Sequence, residues 1–410
     1  MPTLTDAGPQ ALREAAEALV AEHWKPTATV REWWAAMATA GLSQPTWPLG
    51  LGGRGALGRD ARAVTEVFSR VGVVAPPTGG VAVSLCAPTI LDHGSDAQKE
   101  KYVTAIAAGE ESWCQLFSEP GFGSDLAGVT SSAVRRNGGW VVTGQKVWNS
   151  AADVARRGLL LARTDPAAPK HLGLTMFAFD MDQPGVEVRP LVQMNGDASF
   201  CEVFLTDCLI RDDDVIGEVN DGWSVARTTL RHERAAAGDH TPAGLVAVPS
   251  GAIAGQLDRP VGEVVAEGGV KTSARVEYAV GSKVLVSLAQ ERRRIDDPVL
   301  RDRLAHYYIR TRINRMLGQK LREVGASYPG AEGNLAKLAL VAACLESRDL
   351  VFDVLGADGM LAGDDAPLGG KPVRSALGAA GSRIGGGTDE IQRNVIGERA
   401  LGLPREPAAG

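Results

Sequence analysis

Residues suited to chemistry gather in a handful of short stretches of this 410-residue chain, and each stretch also has a plainer reading. Toward the C-terminus, Gly385, Gly386, Gly387 and Thr388 lead through Asp389 and Glu390 into IQRN, a glycine-rich turn opening a helix. Backbone amides at such a start can form an anion-binding nest, although the turn alone is a weak signal. In SEPGFGSDLAG (Ser118–Gly128) the glycines let backbone amides approach a ligand, and the Ser118 and Ser124 hydroxyls donate hydrogen bonds. The plainer alternative there is a Gly-Ser-Asp turn leaving a strand. Trp148, in GQKVWNSAA (Gly144–Ala152), brings a large ring to an alternating strand, where tryptophan is usually core or edge filler. Glu233, in LRHERAAAG, is a carboxylate that can accept a proton, yet a glutamate among arginines is usually a solvated mixed-charge helix turn.

Composition narrows the partners. Hydrophobic residues make up 44% and charged residues 22%, an ordinary globular mixture, and 49 glycines imply many tight turns. A net charge of -6 disfavours nucleic acid or an anionic membrane as a bulk partner and favours a small molecule, with room for a local basic pocket. Cys86, Cys114, Cys201, Cys208 and Cys344 form no CxxC pair and have no histidine at metal spacing, so no metal site is expected and the thiols read as reduced. Without a run of about 18 apolar residues or a signal-like N-terminus, a soluble cytoplasmic protein is expected.

These stretches need elements to hold them. Apolar residues recur at three- and four-residue spacings over Leu12–Trp24, Val30–Ala40, Asp60–Val71 and Asp96–Gly109, with Ser95 or Asp96 as the cap of the last. After Trp113 short β-branched and apolar runs alternate with Gly, Asn, Asp and Pro. From Gly222 helical texture returns in four long stretches that read as a bundle, one of them Ser273–Arg293. Asp239–Pro260, rich in Gly and Pro, reads as a surface insertion. The resulting organisation is a helical domain over 1–112, a β domain over 113–220 and a helical bundle over 221–410.

In this order, three motifs resemble those of the acyl-CoA dehydrogenase family: WCQLFSEPGFGSDLAG (Trp113–Gly128), GQKVWNSAA, and RIGGGTDEIQRNVIGERALGLP (Arg383–Pro404). The resemblance spans nearly the whole chain. It implies a mainly α fold with a central, small, β-barrel-like domain between an N-terminal helical domain and a C-terminal four-helix bundle. It also implies non-covalent FAD, held by Leu116, Ser118, Gly123, Ser124, Trp148, Ser150, Thr388 and Glu390. Arg292, in QERRRIDDP, is similar to the family arginine that pairs with a neighbouring subunit's FAD pyrophosphate, and Gly356 and Gly359 resemble a glycine element used across a dimer interface. Ser124, Arg234, Gly386 and Gly387 are the implied substrate contacts. Implied partners are an acyl-CoA or acyl-carrier-protein thioester, an electron-transfer-flavoprotein-like acceptor, and further subunits in a homodimer, homotetramer or heterotetramer.

Three departures matter. Asn149 stands where the family often has Ile or Thr, and Asp353 stands where glutamine is usual, an anion unfavourable beside a pyrophosphate. Where many members carry a catalytic glutamate in the C-terminal turn, this chain has Gly386. Branches resembling isovaleryl- and long-chain-acyl dehydrogenases place that base on the first bundle helix, which here is Glu233, with Glu390 the runner-up. The implied reaction is α,β-dehydrogenation of an acyl thioester to the trans-2-enoyl product. Two alternatives stay open: a flavin-dependent oxygenase on the same fold, and a non-catalytic partner subunit of a heteromeric enzyme.

Overall fold

The computed structural model describes residues 8–77, 80–136, 138–236, 242–270, 278–324 and 331–405. It divides into two compact units, residues 1–191 with 199–274, and residues 192–198 with 275–410.

In the first unit, the spacing of apolar residues sets the helices. Helix α1 (Pro9–His23) buries Leu12, Ala16 and Leu19, and α2 (Val30–Thr39) buries Val30, Trp33, Trp34 and Met37, each set one helical stripe. Thr29 starts α2 through a capping box: its hydroxyl accepts from the Glu32 N–H at 3.2 Å, and the Glu32 carboxylate accepts from the Thr29 N–H at 2.8 Å. Helix α3 (Gly58–Val71) completes a core with these two and stops at Gly72, whose φ of 79° favours glycine. A π-turn (Ala82–Cys86) leads into α4 (Ala87–His93). Next come α5 (Asp96–Gln98), a π-turn (Lys99–Val103) and α6 (Thr104–Ala107), with Ser95 rather than Asp96 as the cap.

Among the described residues eight strands follow: β1 (Trp113–Leu116), β2 (Ser132–Arg136), β3 (Gly139–Ser150), β4 (Arg157–Arg163), β5 (Leu174–Asp180), β6 (Val186–Leu191), β7 (Phe200–Arg211) and β8 (Val215–Ile216). Their order is β6-β7-β3-β2-β4-β5-β8, with β1 parallel to β4. Strand alternation makes β4 two-sided. Leu160 and Ala162 join Leu116, Val142 and Val203 in a core within the sheet, while Leu159 and Leu161 face a second core with Ile90, Tyr102 and Ile106.

Helix α7 (Gly222–Ala236), expected as the first helix of the bundle, packs within the first unit. Its Thr229 hydroxyl lies 3.0 Å from that of Thr89, and Thr228 lies 2.8 Å from the His93 ring. The Asp239–Pro260 segment differs from its expected role as a surface insertion. Residues 237–241 lie outside the described residues, but from 242 onward the chain is a strap across the first three helices. The Val246 N–H donates to Val73 at 3.0 Å, the Arg31 N–H donates to Leu257 at 2.8 Å, and Leu257, Val261 and Val264 are buried in the α1–α3 core. Gly and Pro prevent a long helix there, but the apolar residues between them still need burial; α8 (Val261–Ala266) closes the strap.

The second unit is helical: α9 (Ser282–Glu291), α10 (Pro298–Val324), α11 (Glu332–Leu355), α12 (Lys371–Gly378) and α13 (Asp389–Val395). Leu285, Leu288, Leu304, Tyr307, Leu350 and Val354 form its core. The helix expected over Ser273–Arg293 begins only at Ser282, residues 271–277 lying outside the described residues. The Val280 N–H donates to the Ser347 hydroxyl at 2.8 Å and its carbonyl accepts from Tyr307 at 2.8 Å, so the backbone before Gly281 is held by tertiary partners.

Candidate active site

The first two motifs are joined by a buried ion pair. Lys146 on β3 is wholly buried, its Nζ 2.9 Å from Glu119 Oε1 and donating to the carbonyls of Phe117 at 3.0 Å and Leu161 at 2.7 Å. Glu119 also accepts from the Thr130 N–H at 2.7 Å and the Ser131 N–H at 2.9 Å. Burial pushes the Glu119 carboxyl up, but Lys146 and these donors outweigh it and hold it at about 2. The Val147 N–H donates to Ser118 at 2.9 Å. The residues after β1 and the end of β3 are thus locked together. Neither Lys146 nor Glu119 is a candidate in the sequence analysis; the available signal is that each is the lone charged residue of its stretch, Trp113–Phe122 and Gly144–Ala152.

Beside this lock the β3–β7 register shifts between Lys146 and Asn149, and Trp148 takes a φ of 63°. That left-handed backbone is costly for an aromatic residue, and such strain clusters at functional sites. The ring is 55% exposed and stands edge-on to Phe200 at 5.9 Å. Asn149 is 1% exposed; its Nδ2 donates to the Gln115 carbonyl at 2.6 Å, and its Oδ1 is buried without a hydrogen-bond partner. Ser118 and Ser150 are half-buried, and Gly123 and Ser124 are exposed. The Leu116 side chain is core, so any ligand contact it makes is through its backbone.

Glu233 lies on the inward face of α7. Val225, Ala226 and Thr229 are fully buried, and Glu233 follows Ala226 and Thr229 at seven and four residues, the spacing of one helix face. It is half-buried, and desolvation pushes its carboxyl above the ordinary glutamate range; a hydrogen bond from the Gln115 side chain and the charge of Arg234 offset this in part. Arg231 turns away to Asp92 at 3.2 Å, with His232 2.9 Å from the same carboxylate. The solvated-turn reading therefore fits Arg231 and not Glu233.

In the second unit the C-terminal turn is shaped by glycine and braced by buried polar residues. Gly386 and Gly387 have φ of 69° and 90°, and Gln392 Nε2 donates to their carbonyls at 2.7 and 3.2 Å. Asn334 on α11 donates to Gln392, and Lys337 Nζ reaches Asp389 at 3.3 Å. Thr388 caps α13, accepting from the Ile391 N–H at 3.3 Å. Glu390 is exposed, a poor setting for a base. Arg292 pairs with Asp358, and Asp353 pairs with Arg303, so the anion at position 353 has its own cation. Gly356 has a φ of 57°, and a Cβ at Gly359 would lie 3.1 Å from Phe352. Among the described residues no cluster of His, Cys, Asp or Glu could hold a metal, and no helix is long and apolar enough to cross a membrane.

For FAD, the residues present fit in part. An exposed ring on strained backbone, the half-buried Ser118 and Ser150 and an unpartnered buried amide oxygen suit a large polar aromatic group; the Arg292–Asp358 pair leaves that arginine's charge already matched.

A helical domain, a two-sided sheet bearing the SEP and KVW motifs, and a helical unit ending in a glycine-turn helix are the parts of an acyl-CoA dehydrogenase-type oxidoreductase. Family models for the acyl-CoA dehydrogenase N-terminal, middle and C-terminal domains match residues 7–110, 114–208 and 277–401, and the chain belongs to the acyl-CoA dehydrogenase family. Acyl-CoA dehydrogenase FadE34 of Mycobacterium tuberculosis is 38% identical over 90% of this chain, which spans about half (46%) of that relative's length. Acyl-CoA dehydrogenase IpdE1 of the same organism is 34% identical over 92% of this chain and 88% of its own. The Tcur3481-Tcur3483 steroid ACAD structure superposes with a TM-score of 0.69 at 25% identity, covering 97% of both chains.

Proposed function

We propose that this chain is an FAD-dependent dehydrogenase converting an acyl-CoA to its trans-2-enoyl-CoA, with Glu233 as the base. The observation that carries the reading is the position of Glu233 on the same face of α7 as the buried Ala226 and Thr229, where burial raises its carboxyl. A carboxylate moved above its ordinary range there is better matched to a weakly acidic α-proton than one in water. Glu233 takes that proton on its carboxylate. The role proposed for the amides at Gly386 and Gly387 is donation to the thioester carbonyl, whose oxygen gains charge as the proton leaves. Trp148, Ser118, Ser150 and Thr388 are the proposed holders of FAD, which supplies the hydride acceptor when bound. An electron-transfer-flavoprotein-like protein is the proposed onward acceptor.

Glu233→Gln keeps size and hydrogen bonding but removes the base. The variant is expected to fold, retain flavin and bind acyl-CoA, while anaerobic flavin reduction by substrate slows at least about a hundredfold. Bleaching at the wild-type rate would remove Glu233 from the mechanism, and Glu390→Gln in the same assay would then test the runner-up. Since a structural relative is named a steroid ACAD, a bulky acyl group is the first substrate class to assay. The paired name of a structural relative, the Tcur3481-Tcur3483 steroid ACAD, favours a second reading, a non-catalytic partner subunit of a heteromeric enzyme. A colourless purified chain that yields activity only with a second subunit would select it.

A further inference from the structure

We propose that Gln392 is the positioning residue of the glycine turn, its side-chain amide fixing the direction in which the Gly387 and Thr388 N–H groups point; only the catalytic consequence rests on the reading above. Gln392 is 1% exposed, and its Nε2 lies 2.7 Å from the Gly386 carbonyl and 3.2 Å from that of Gly387. Carbonyls only accept, so the end of the amide that faces them has to be the donor, and Oε1 must face the other way. There it accepts from Nδ2 of Asn334, 4% exposed on α11, which keeps the amide from turning over. The two peptide groups are trans and planar, so each N–H runs opposite its carbonyl. With both carbonyls drawn toward Gln392, the N–H groups of Gly387 and Thr388 face away from it, and neither has a partner among the described residues.

Helix α11 also grips the turn at both ends. Lys337 follows Asn334 by three residues, on the same helix face, and its Nζ lies 3.4 Å from the Arg383 carbonyl before the turn and 3.3 Å from Asp389 after it. Arg383 Nε adds a 3.0 Å contact to the same carboxylate. These charges clamp the ends, while Gln392 acts on the peptide groups between them. The fit is close: a Cβ at Gly387, whose φ is 90°, would lie 2.8 Å from Gln392 Nε2. An apolar residue of the same length at 392 would fill the volume but leave two carbonyls without their donor, free to rotate and to carry the N–H groups with them. Donors aimed at a developing negative oxygen act through their direction, so rotated peptides cost rate more than binding.

Gly387–Thr388 is the one Gly-Thr step in the sequence, so glycine carrying ¹³C at its carbonyl and threonine carrying ¹⁵N give the perdeuterated protein a single carbonyl-to-amide NMR correlation, at a peptide group that Gln392 holds. Gln392→Met keeps chain length and removes the donor. Asn334→Leu, the second variant, leaves Gln392 in place and frees its amide to turn, with circular dichroism confirming the fold of each. The peak is expected to move in both variants, its carbonyl upfield as for a lost hydrogen bond. With a bulky acyl-CoA as the probe, the limiting rate of anaerobic flavin reduction should fall at least about tenfold in Gln392→Met, while the acyl-CoA concentration giving half that rate changes by less than about threefold. A turn that Gln392 only helped to fold would instead lose flavin and acyl-CoA binding together with rate. An unmoved peak in the folded variants overturns the proposal, whatever the activity. A peak that moves while flavin reduction keeps its wild-type rate leaves the positioning intact and removes the turn amides from the mechanism instead.

Discussion

Trp148 combines a backbone conformation that disfavours large side chains with a ring left largely in solvent, so its identity is not explained by folding. Trp148→Ala is expected to lower the flavin-to-protein absorbance ratio after gel filtration while moving the melting temperature little. Trp47, 9% exposed within a core cluster, makes the contrast. Trp47→Ala should cost about 3–5 kcal/mol of stability and lose less flavin per folded molecule than Trp148→Ala. Equal flavin loss in both would separate Trp148 from the cofactor. Glu233 adds a pH signature: because burial raises its carboxyl, the base form is lost as pH falls through a value above the ordinary glutamate range. Flavin reduction should therefore decline on the acid side earlier than an exposed glutamate would predict, and a stopped-flow pH series checks this.

At the scale of elements, the Lys146–Glu119 pair ties β3 to the segment after β1. Removing one partner leaves a buried, uncompensated charge, so Lys146→Met or Glu119→Gln should each destabilise by about 3–5 kcal/mol in urea unfolding, and the double variant by less than their sum. Additive losses would show that the two charges are not coupled. The folded Glu119 carboxyl sits near 2, against an ordinary value of 4.5. Its contribution is complete above about 4.5 and is lost as pH falls toward 2, so wild-type stability should drop across that window more steeply than that of Glu119→Gln. The strap gives a separate test. Leu257 is 1% exposed in the α1–α3 core, so Leu257→Ala should cost about 2–5 kcal/mol, whereas a loosely attached surface insertion would give within about 0.5.

For the whole molecule, the second unit leaves a line of apolar side chains uncovered. Ile309, Ile313 and Met316 on α10 are 54%, 57% and 66% exposed at helical spacing, a stripe that suits contact with another subunit. Ile313→Asp is expected to shift the chain to a smaller species in light scattering, with secondary structure unchanged. A wild-type chain already monomeric at micromolar concentration would contradict the proposed oligomer, and with it the role suggested for Arg292 and Gly356 toward a neighbour's cofactor.

Helix stripes, the run of short strands, a cap at Ser95 or Asp96 and the three motifs were all readable in the sequence, because they depend on residues a few positions apart. The family resemblance directed attention to Glu233, because Gly386 lacks a side chain where many members carry the base. What only the tertiary structure decided is pairing across distance. Lys146 meets Glu119, and Asp353 meets Arg303, each across a separation at which composition and periodicity carry no information about partners. The Asp239–Pro260 segment makes the same point: glycine and proline correctly forbid a long helix, but whether its Val and Leu residues end in water or in a core depends on the surface available to cover them, and that surface is made by helices some two hundred residues earlier.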